Sequence, residues 1–555
     1  MSQAIVSWFG AAPVRFYLVA VSALFCFLTL AASHREPTAA YRSQLLFLIS
    51  TAVVIFAWRW PVLIPSYALN VDEGMWVAGA LKITVDPVPW RGFDAATSGP
   101  LGSYLLALPA LFGCSIDFFS TRLIGTCLMT SAVLALYFAL EWVYDARLAQ
   151  LGIVPAVLLV ALTDEVDFVH FSSEYLPVFL TTAALAGAAF VAAGVGSARA
   201  RVIAAAAAGI CLGSSVFAKL QATPIAALIC CGLAVAIFLT RRGTKEAAVL
   251  LAIAALSLCA VPAVLMVWGS VAGNPADPIS YFTGGLEYAA SGGDASVGTR
   301  FFFGTVKSYA AFLIPALMAV GVGALALVRW RSIPRRALLV TAFSLLLVVA
   351  AWYSIYKPHR GFPHYLLFSV IPVSFCAAAF LALTREAALW QRERFWVPMT
   401  WLTVFTVPAL SVALAAPNRF VSSIASHTMQ PRPPEAEAVA RYARRGDVIA
   451  VWGWAAELYA HTGTIMATRA ADTAGLAVAG PNLASLRERY MSELQADKPK
   501  VFVDAVHPGA FFRMNDPATQ RHENFPALAD YIRENYTFKE EVNGVRIYVA
   551  RNSGA

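Results

Sequence analysis

The sequence predicts an α-helical polytopic membrane protein with about twelve transmembrane helices and a small C-terminal α/β domain. The 555 residues are 59% hydrophobic and only 13% charged, whereas soluble domains have about 25% charged residues. Apolar runs of about 20 residues recur up to residue 415. Residues 416–555 differ, because they hold 16 of the 41 Lys and Arg and 15 of the 33 Asp and Glu. The chain therefore divides into a lipid-embedded part and a water-exposed C-terminal part.

The apolar runs are long enough to cross the hydrocarbon core as helices. The first run is followed by a second run rather than by a small-residue cleavage site, which favours a retained helix over a removed signal peptide. We expect an N-terminal helix and loop at 1–43, a transmembrane domain at 44–415 with a first outer loop at 65–118, and a soluble domain at 416–555. The predicted spans are 14–33, 44–64, 119–141, 148–164, 175–196, 201–218, 222–240, 246–271, 309–329, 336–356, 365–383 and 395–415.

Basic residues are concentrated in one set of the loops between these spans. An excess of Lys and Arg in short loops marks the cytoplasmic side. This rule predicts a multi-pass inner-membrane protein whose other loops, together with residues 416–555, face the periplasm. The basic residues assigned to the cytoplasmic side are Arg35, Arg42, Arg147, Arg199, Arg201, Arg241, Arg242, Lys245, Arg329, Arg331, Arg335, Arg336, Arg385, Arg392 and Arg394.

Two adjacent acids, Asp72 and Glu73, open the first outer loop directly after an apolar run. Placing a carboxylate beside lipid costs free energy, so these acids indicate a function such as holding a cation, abstracting a proton or binding a polar substrate. The alternative is a solvated loop with two ordinary acids. In the same loop, Met75–Ile83 predicts a short helix along the membrane. Pro100–Phe112 is apolar but too short for an ordinary span, which suits a re-entrant or interfacial helix.

Three further polar sites lie at span ends on the predicted outer face. Glu174 directly precedes a span, and Lys219 lies between two apolar runs, where it either snorkels to the interface or holds a phosphate. Lys357–Tyr365 is dense in cations, imidazoles and a phenol, which suits either a lipid-linked phosphate or a helix-end anchor. The candidate substrate-binding residues are Lys219, Gln221, Arg360, His364, Tyr365, Arg91 and Asp94.

The C-terminal region has the alternating pattern of a small α/β domain. Asn543-Gly544 is a strong hairpin signal between two short apolar segments. Trp452, Trp454 and Glu457 follow or lie within a buried strand, so we interpret them as core more than as sugar contacts. The predicted elements are a helix at 435–445, a strand at 448–454, a helix at 455–462, a strand at 500–504, a helix at 526–536 and hairpin strands at 538–541 and 546–549.

Together these segments resemble the membrane-embedded GT-C glycosyltransferases that use polyprenyl-phosphate sugars, a class that includes protein O-mannosyltransferases and lipid A aminoarabinose transferases. The resemblance covers residues 44 to about 383. This sequence differs from the family at two points. Thr97 and Ser98 stand where the family's Lys-Pro-Pro-Leu-type segment has its lysine. An extra span precedes the usual first helix. The motifs that carry it are Asp72-Glu73-Gly74, Ser98-Gly99-Pro100-Leu101, Ser173-Glu174 and Arg360-Gly361-Phe362-Pro363-His364-Tyr365.

This resemblance implies an inverting transfer of a sugar from a polyprenyl-phosphate donor to an envelope lipid, polysaccharide or protein at the outer face. It implies that Asp72 is the base, with Glu73 and Glu174 orienting the acceptor, the base or a cation. Lys219, Arg360 and His364 would offset charge on the leaving phosphate. A polyprenyl phosphate leaves without pyrophosphate, so a metal is less obligatory than for a nucleotide sugar, and a divalent cation on Asp72, Glu73 and Glu174 stays open. Membrane lipids are expected partners and nucleic acid is not.

Two other functions remain as alternatives. A polyprenyl-linked glycan ligase or polymerase has a similar topology, but it would have a much longer outer loop with paired arginines. A lipid or sugar transporter would carry charged groups near the bilayer midplane and repeated halves, and the sequence has neither. The cytoplasmic loops are too short to hold a nucleotide-binding domain.

Overall fold

In a computed structural model, the protein folds into two compact units, each assembled from separate stretches of the chain. We call Met1–Ile64, Gly125–Val264 and Thr283–Ser426 the helical unit, and Pro65–Ile124, Leu265–Phe282 and His427–Ala555 the mixed unit. The structure describes residues 13–33, 40–95, 97–163, 165–240, 244–290, 306–387, 396–415, 432–477, 483–511 and 514–551.

The helical unit is built from long apolar α-helices. Two helices, Phe118–Val143 and Thr244–Ala272, begin or end in the mixed unit. The other helices are Pro13–Ala32, Ala40–Leu63, Ala146–Leu162, Val166–Val169, Tyr175–Ala193, Ala198–Ala218, Thr223–Thr240, Lys307–Ala324, Arg335–Tyr356, Leu367–Glu386 and Trp396–Ala415, with 3₁₀ segments at Leu220–Ala222, Leu325–Ser332 and Pro363–Leu366.

Eleven helices in the described part of the chain are long and apolar enough to cross a membrane. The prediction of an α-helical multi-pass membrane protein with about twelve spans is therefore confirmed. The predicted span at 148–164 appears as Ala146–Leu162, a shorter apolar helix whose residues from Leu148 onward are almost all buried. The eleven segments are Val14–Ala32, Arg42–Leu63, Phe118–Val143, Tyr175–Ala193, Ala198–Ala218, Leu220–Leu239, Lys245–Ala272, Lys307–Ser332, Arg335–Tyr356, Pro363–Glu386 and Val397–Ala415.

Close helix packing in this unit depends on small residues. Gly209 and Gly213 are spaced by one helical turn and face the helix Thr244–Ala272. A Cβ on Gly213 would lie 2.0 Å from the carbonyl oxygen of Leu258, so only glycine allows this approach. Small residues at this spacing are the usual means by which helices pack in lipid. The apolar part of Pro363–Glu386 is buried along its whole length and forms the centre of the unit.

The mixed unit contains a five-stranded sheet formed by Val448–Trp452 (β1), Ile465–Met466 (β2), Val501–Asp504 (β3), Tyr536–Val542 (β4) and Val545–Ala550 (β5). The strand order is β2-β1-β3-β5-β4. β1 pairs in parallel with β2 and β3, whereas β5 pairs antiparallel with β3 and β4. The predicted hairpin is confirmed: β4 and β5 are joined at Asn543 and Gly544, which both have positive φ angles.

Helices cover this sheet and extend into the first outer loop. Three predicted helices are present, at Pro434–Tyr442, Glu457–Thr462 and Pro526–Asn535, and the two short helices expected in the outer loop are Val71–Ile83 and Leu101–Leu111. The sequence patterns did not predict β2 or the helix Leu483–Asp497. The remaining helical segments are Ala276–Ala290, Ala474–Ala477, Pro517–Gln520 and His522–Asn524.

Ion pairs join three stretches of the chain inside the mixed unit. Lys82 Nζ lies 2.8 Å from Asp497 Oδ2. The Arg469 guanidinium contacts Asp277 at 2.8 Å and Glu493 at 2.5 Å. The pairs Lys82–Asp497 and Arg469–Asp277 each join residues from different stretches of the sequence, so they hold together segments that no local signal relates.

Candidate functional site

Asp72 and Glu73 lie in the first turn of the helix Val71–Ile83. This helix begins after Asn70, whose side chain accepts a hydrogen bond of 3.0 Å from the backbone N–H of Asp72. Asn is a preferred residue at this position, because it satisfies one of the unpaired N–H groups at a helix start. The cap places two carboxylates at the positive end of the helix, where negative charge is stabilised.

The two acids have different environments. Glu73 is fully buried, and Arg122 donates to its two oxygens at 2.7 and 2.6 Å. Arg122 also donates to the carbonyls of Pro65 and Tyr67, both at 2.6 Å. Asp72 is half-buried, and its carboxylate makes no hydrogen bond or ion pair with the described residues. Glu73 therefore holds the segment in place, whereas Asp72 presents a carboxylate that these residues leave available.

In the helical unit, Glu174 and Lys219 form a buried ion pair. Glu174 directly precedes the helix Tyr175–Ala193, and Lys219 follows the last residue of Ala198–Ala218. The Lys219 ammonium contacts Glu174 Oε1, donates to Ser173 Oγ at 2.6 Å and lies 5.0 Å from the ring centroid of Tyr365. Burial acts to raise the pKa of Glu174, but the charge of Lys219, followed by that of His364, lowers it to about 2.

His364 and Arg360 extend this cluster of polar groups. His364 Nε2 lies 4.0 Å from Glu174 Oε1, and its Nδ1 lies 3.8 Å from Asp167 Oδ1. The Arg360 guanidinium carbon lies 4.5 Å from the ring centroid of Tyr288, whose hydroxyl is 2.8 Å from that of Tyr365. We call Glu174, Lys219, His364, Tyr365, Arg360, Tyr288 and Asp167 the Glu174 cluster.

The turn that carries Arg360 has an unusual backbone. His359 and Gly361 both have positive φ angles, 49° and 68°. The left-handed region is costly for a residue with a side chain such as His359 and natural for glycine. The chain reverses here between Arg335–Tyr356 and the 3₁₀ segment Pro363–Leu366, which brings Arg360 and His364 to the same end of two helices.

The other predicted substrate-binding residues have structural contacts. Gln221 donates to the Ser354 carbonyl at 3.2 Å. Arg91 forms a bidentate pair with Asp86, the shortest distance being 2.7 Å, and donates to the Ala272 carbonyl at 2.6 Å. The backbone N–H of Asp94 donates to the Arg469 carbonyl at 2.9 Å. The structure thus brings Lys219, His364, Tyr365 and Arg360 into one cluster, and it places Arg91 and Asp94 in the mixed unit with Asp72 and Glu73.

Sequence reasoning missed Arg122, Tyr288 and Asp167. Asp167 belongs to none of the predicted motifs, and its carboxylate lies 3.8 Å from His364 Nδ1. Arg122 stands just inside an apolar run, and a charge at such a position requires a buried partner. That signal was present in the sequence, whereas nothing local points to Tyr288.

One group of three potential metal ligands occurs in the described ranges, at Asp504, His522 and Glu523. The Asp504 oxygens already accept from the backbone N–H groups of Val506 and His522, at 3.0 and 3.1 Å. His522 Nδ1 lies 2.5 Å from the same carboxylate. These contacts leave no space for an ion between the two side chains, so we interpret the group as a buried hydrogen-bonded pair.

Known proteins resemble this chain in structure rather than in sequence. No family model and no curated protein matches the sequence. A crystal structure of ArnT from Cupriavidus metallidurans bound to undecaprenyl phosphate aligns with a TM-score of 0.57 at 14% identity, over 93% of this chain and 99% of that chain. The apo form aligns with a TM-score of 0.54 at 14% identity, over 92% and 98%.

The chain has the GT-C fold. The fold resemblance inferred from Asp72-Glu73-Gly74 and the other motifs is thereby confirmed. The alignment to ArnT extends beyond the predicted residues 44 to 383, because it includes most of the C-terminal residues as well. In this GT-C chain the C-terminal residues contribute a buried core, in which Trp452 is 1% exposed and its indole N–H donates to the Gln520 carbonyl at 2.8 Å.

Glu457 carries a buried carboxylate oxygen in this C-terminal region. Its Oε2 is buried without a hydrogen-bond partner among the described residues. A Cβ on Gly74 would lie 2.5 Å from the Glu457 backbone nitrogen, so this helix start packs directly on the Asp72-Glu73-Gly74 segment within the mixed unit. Burial, together with a minor contribution from the Glu435 charge, raises the pKa of Glu457 to about 7.

We expect Glu457→Gln to stabilise the protein above pH 7 and to change little near pH 4. The unfolded carboxyl has its ordinary pKa of 4.5 and the folded one about 7, so stability falls as the pH rises from 4.5 through 7. The loss amounts to about 3 kcal/mol, and a neutral Gln avoids it. Melting temperatures of the full chain in detergent at pH 4, 6 and 8 test this. Glu534→Gln, on an exposed helix face, is the control. Identical pH profiles of the melting temperature for the wild type and Glu457→Gln would contradict the prediction.

Proposed function

We propose that this protein transfers a sugar from a polyprenyl-phosphate donor to a nucleophilic oxygen of an envelope acceptor at the outer face of the inner membrane. The observation that carries the proposal is the end-to-end structural match to an ArnT solved with undecaprenyl phosphate bound. The Glu174 cluster supports it, since it holds three side chains that can carry positive charge at span ends, the chemistry that a lipid-linked phosphate needs.

In the proposed reaction, Asp72 removes the proton of the acceptor oxygen as this oxygen attacks the anomeric carbon. The sugar–phosphate bond breaks on the opposite side, which inverts the configuration. Asp72 suits this role because its carboxylate has no partner among the described residues. Glu73 is proposed as a positioning residue, since Arg122 engages both of its oxygens.

The leaving polyprenyl phosphate gains negative charge as the bond breaks. Lys219, Arg360 and His364 are proposed to stabilise this charge, with Tyr365 and Tyr288 fixing their orientation. Glu174 holds Lys219 in place through their ion pair, because the Glu174 carboxylate stays ionised down to low pH. The positive-inside rule, applied to the basic loops, supports a periplasmic position for this cluster.

Envelope chemistry of cells with and without the protein tests the function. Mass spectrometry of glycans and glycolipids should reveal one species whose mass differs by a single sugar unit and which requires the wild-type gene. A strain that carries Asp72→Asn should resemble the deletion strain. Identical profiles in the wild-type and deletion strains would refute the proposal.

We expect Arg360→Ala to weaken donor binding and to slow the chemical step together, because the phosphate gains charge in the transition state. Arg360→Lys should recover only part of both, since Lys keeps the charge but loses the planar fork that binds phosphate at two points. Donor binding and single-turnover transfer are the measurements. An arginine that only anchors a helix end would be fully replaced by lysine, so full activity in Arg360→Lys would contradict a role in phosphate binding.

A further inference from the structure

A second polar site lies in the helical unit, away from the residues assigned to sugar transfer. The helix Lys307–Ala324 continues into the 3₁₀ segment Leu325–Ser332, whose backbone departs from helical geometry at Arg329 (φ −100°, ψ 27°). A cleft of about 650 Å³ lies at this departure, within the range of small-molecule sites. The cleft is lined by Val328, Arg329, Trp330, Arg331, Ser332, Glu386 and Ala387.

The cleft has an excess of positive charge. Arg329 Nη1 donates to the Ala387 carbonyl at 3.3 Å, which leaves its other donors for a ligand, and Arg331 has no carboxylate within salt-bridge distance among the described residues. The carboxylate of Glu386, which also lines the cleft, lies 3.7 Å from the guanidinium of Arg385, a residue outside the lining. Arg385 also pairs with Asp145 at 2.5 Å, so it is shared between two carboxylates. Within the lining itself, two guanidinium groups stand against one carboxylate.

The rim of the cleft is apolar and exposed. Val328 is 84% exposed and Trp330 57%. The Arg331 guanidinium carbon lies 5.6 Å from the Trp330 ring centroid, so a cation and an indole are presented side by side. Trp is enriched at the level of lipid headgroups, and this segment ends a candidate membrane span.

We propose that this cleft binds the phosphate of an anionic phospholipid, with Arg329 and Arg331 donating to the phosphate oxygens and the apolar rim contacting the acyl chains. Guanidinium groups bind phosphate at two points and are less strongly hydrated than ammonium groups, which suits a site at the membrane edge. The combination of charge and apolar rim favours a lipid over free phosphate, because free phosphate gains nothing from the exposed side chains of Val328 and Trp330.

Native mass spectrometry of the detergent-purified full chain tests this with phosphatidylglycerol, phosphatidylcholine and glycerol 3-phosphate as probes. We expect tighter binding of phosphatidylglycerol than of the other two, and a loss of at least about tenfold in its affinity in the double variant Arg329→Gln/Arg331→Gln, since two charge-assisted contacts are removed. Arg331→Lys should keep part of the affinity. Arg335→Gln removes an exposed arginine outside the lining and is the matched control.

Equal binding of phosphatidylglycerol by the wild type and the double variant would overturn the proposal. If the wild type bound phosphatidylcholine as tightly as phosphatidylglycerol, the headgroup charge would have no role. If it bound glycerol 3-phosphate as tightly as phosphatidylglycerol, the acyl chains would have no role. Either result also overturns the proposal. Polyprenyl-phosphate binding should be unchanged in the double variant, so this result is independent of the proposed sugar transfer.

Discussion

Asp72→Asn is expected to lower the turnover of sugar transfer by roughly 10²–10⁴-fold, the effect typical of losing a general base. Asn matches the size of Asp and keeps its hydrogen-bonding ability, but it does not accept the acceptor's proton. Donor binding should change little, because the base acts on the acceptor. The measurement is single-turnover transfer from a polyprenyl-phosphate sugar, with donor affinity determined separately.

The fold should tolerate this substitution. The Asp72 carboxylate makes no hydrogen bond with the described residues, and the helix start remains capped by Asn70. The loss of a negative charge in the first helical turn costs only about 0.3–1 kcal/mol. Asp530→Asn, the same change at an exposed position, is the control and should retain full turnover. Near-normal turnover in Asp72→Asn would exclude Asp72 as the base.

Glu73→Gln is expected to destabilise the mixed unit by about 3–5 kcal/mol, because it leaves the buried Arg122 charge without a carboxylate. Both side chains are fully buried, and Arg122 also orders the chain at Pro65 and Tyr67. Thermal unfolding of the full chain in detergent provides the measurement. Activity should fall as well, since the helix that carries Asp72 depends on this pair.

The double variant Glu73→Gln/Arg122→Met distinguishes the direct interaction between these two side chains from the contribution of their surroundings. Its cost should be smaller than the sum of the two single costs, because the second substitution removes the charge that the first one exposed. The exposed pair Arg533 and Asp530 is the matched control, and breaking it should cost less than about 1 kcal/mol. Strictly additive single effects would contradict a direct interaction between Glu73 and Arg122.

Local patterns predicted most of the secondary structure. The apolar runs that predict spans also appear as helices, because a spanning segment must satisfy its backbone hydrogen bonds internally. Asn543-Gly544 predicted its hairpin because few other residues adopt the two positive φ angles of that turn. β2 was missed because a two-residue strand, Ile465–Met466, carries no periodicity, and its pairing with β1 is a tertiary event.

The candidate site was predictable only in part. Asp72, Glu73, Glu174 and Lys219 were recognised because they are charged residues beside apolar runs, and placing a charge near lipid costs free energy. Their partners were not predictable in the same way. The pairing of Glu174 with Lys219 joins residues 45 positions apart, and Arg122 reaches Glu73 across 49.

The sequence by itself determined that this protein is a helical membrane protein with a small C-terminal α/β region, because hydrophobicity and charge act locally and are recorded residue by residue. Only the tertiary structure decided which of two adjacent acids stays available. Glu73 is neutralised by an arginine from the next long helix, whereas Asp72 is not engaged by the described residues. The physical reason is that the direction of a side chain and its burial depend on how helices pack, and packing joins residues that are distant in the chain.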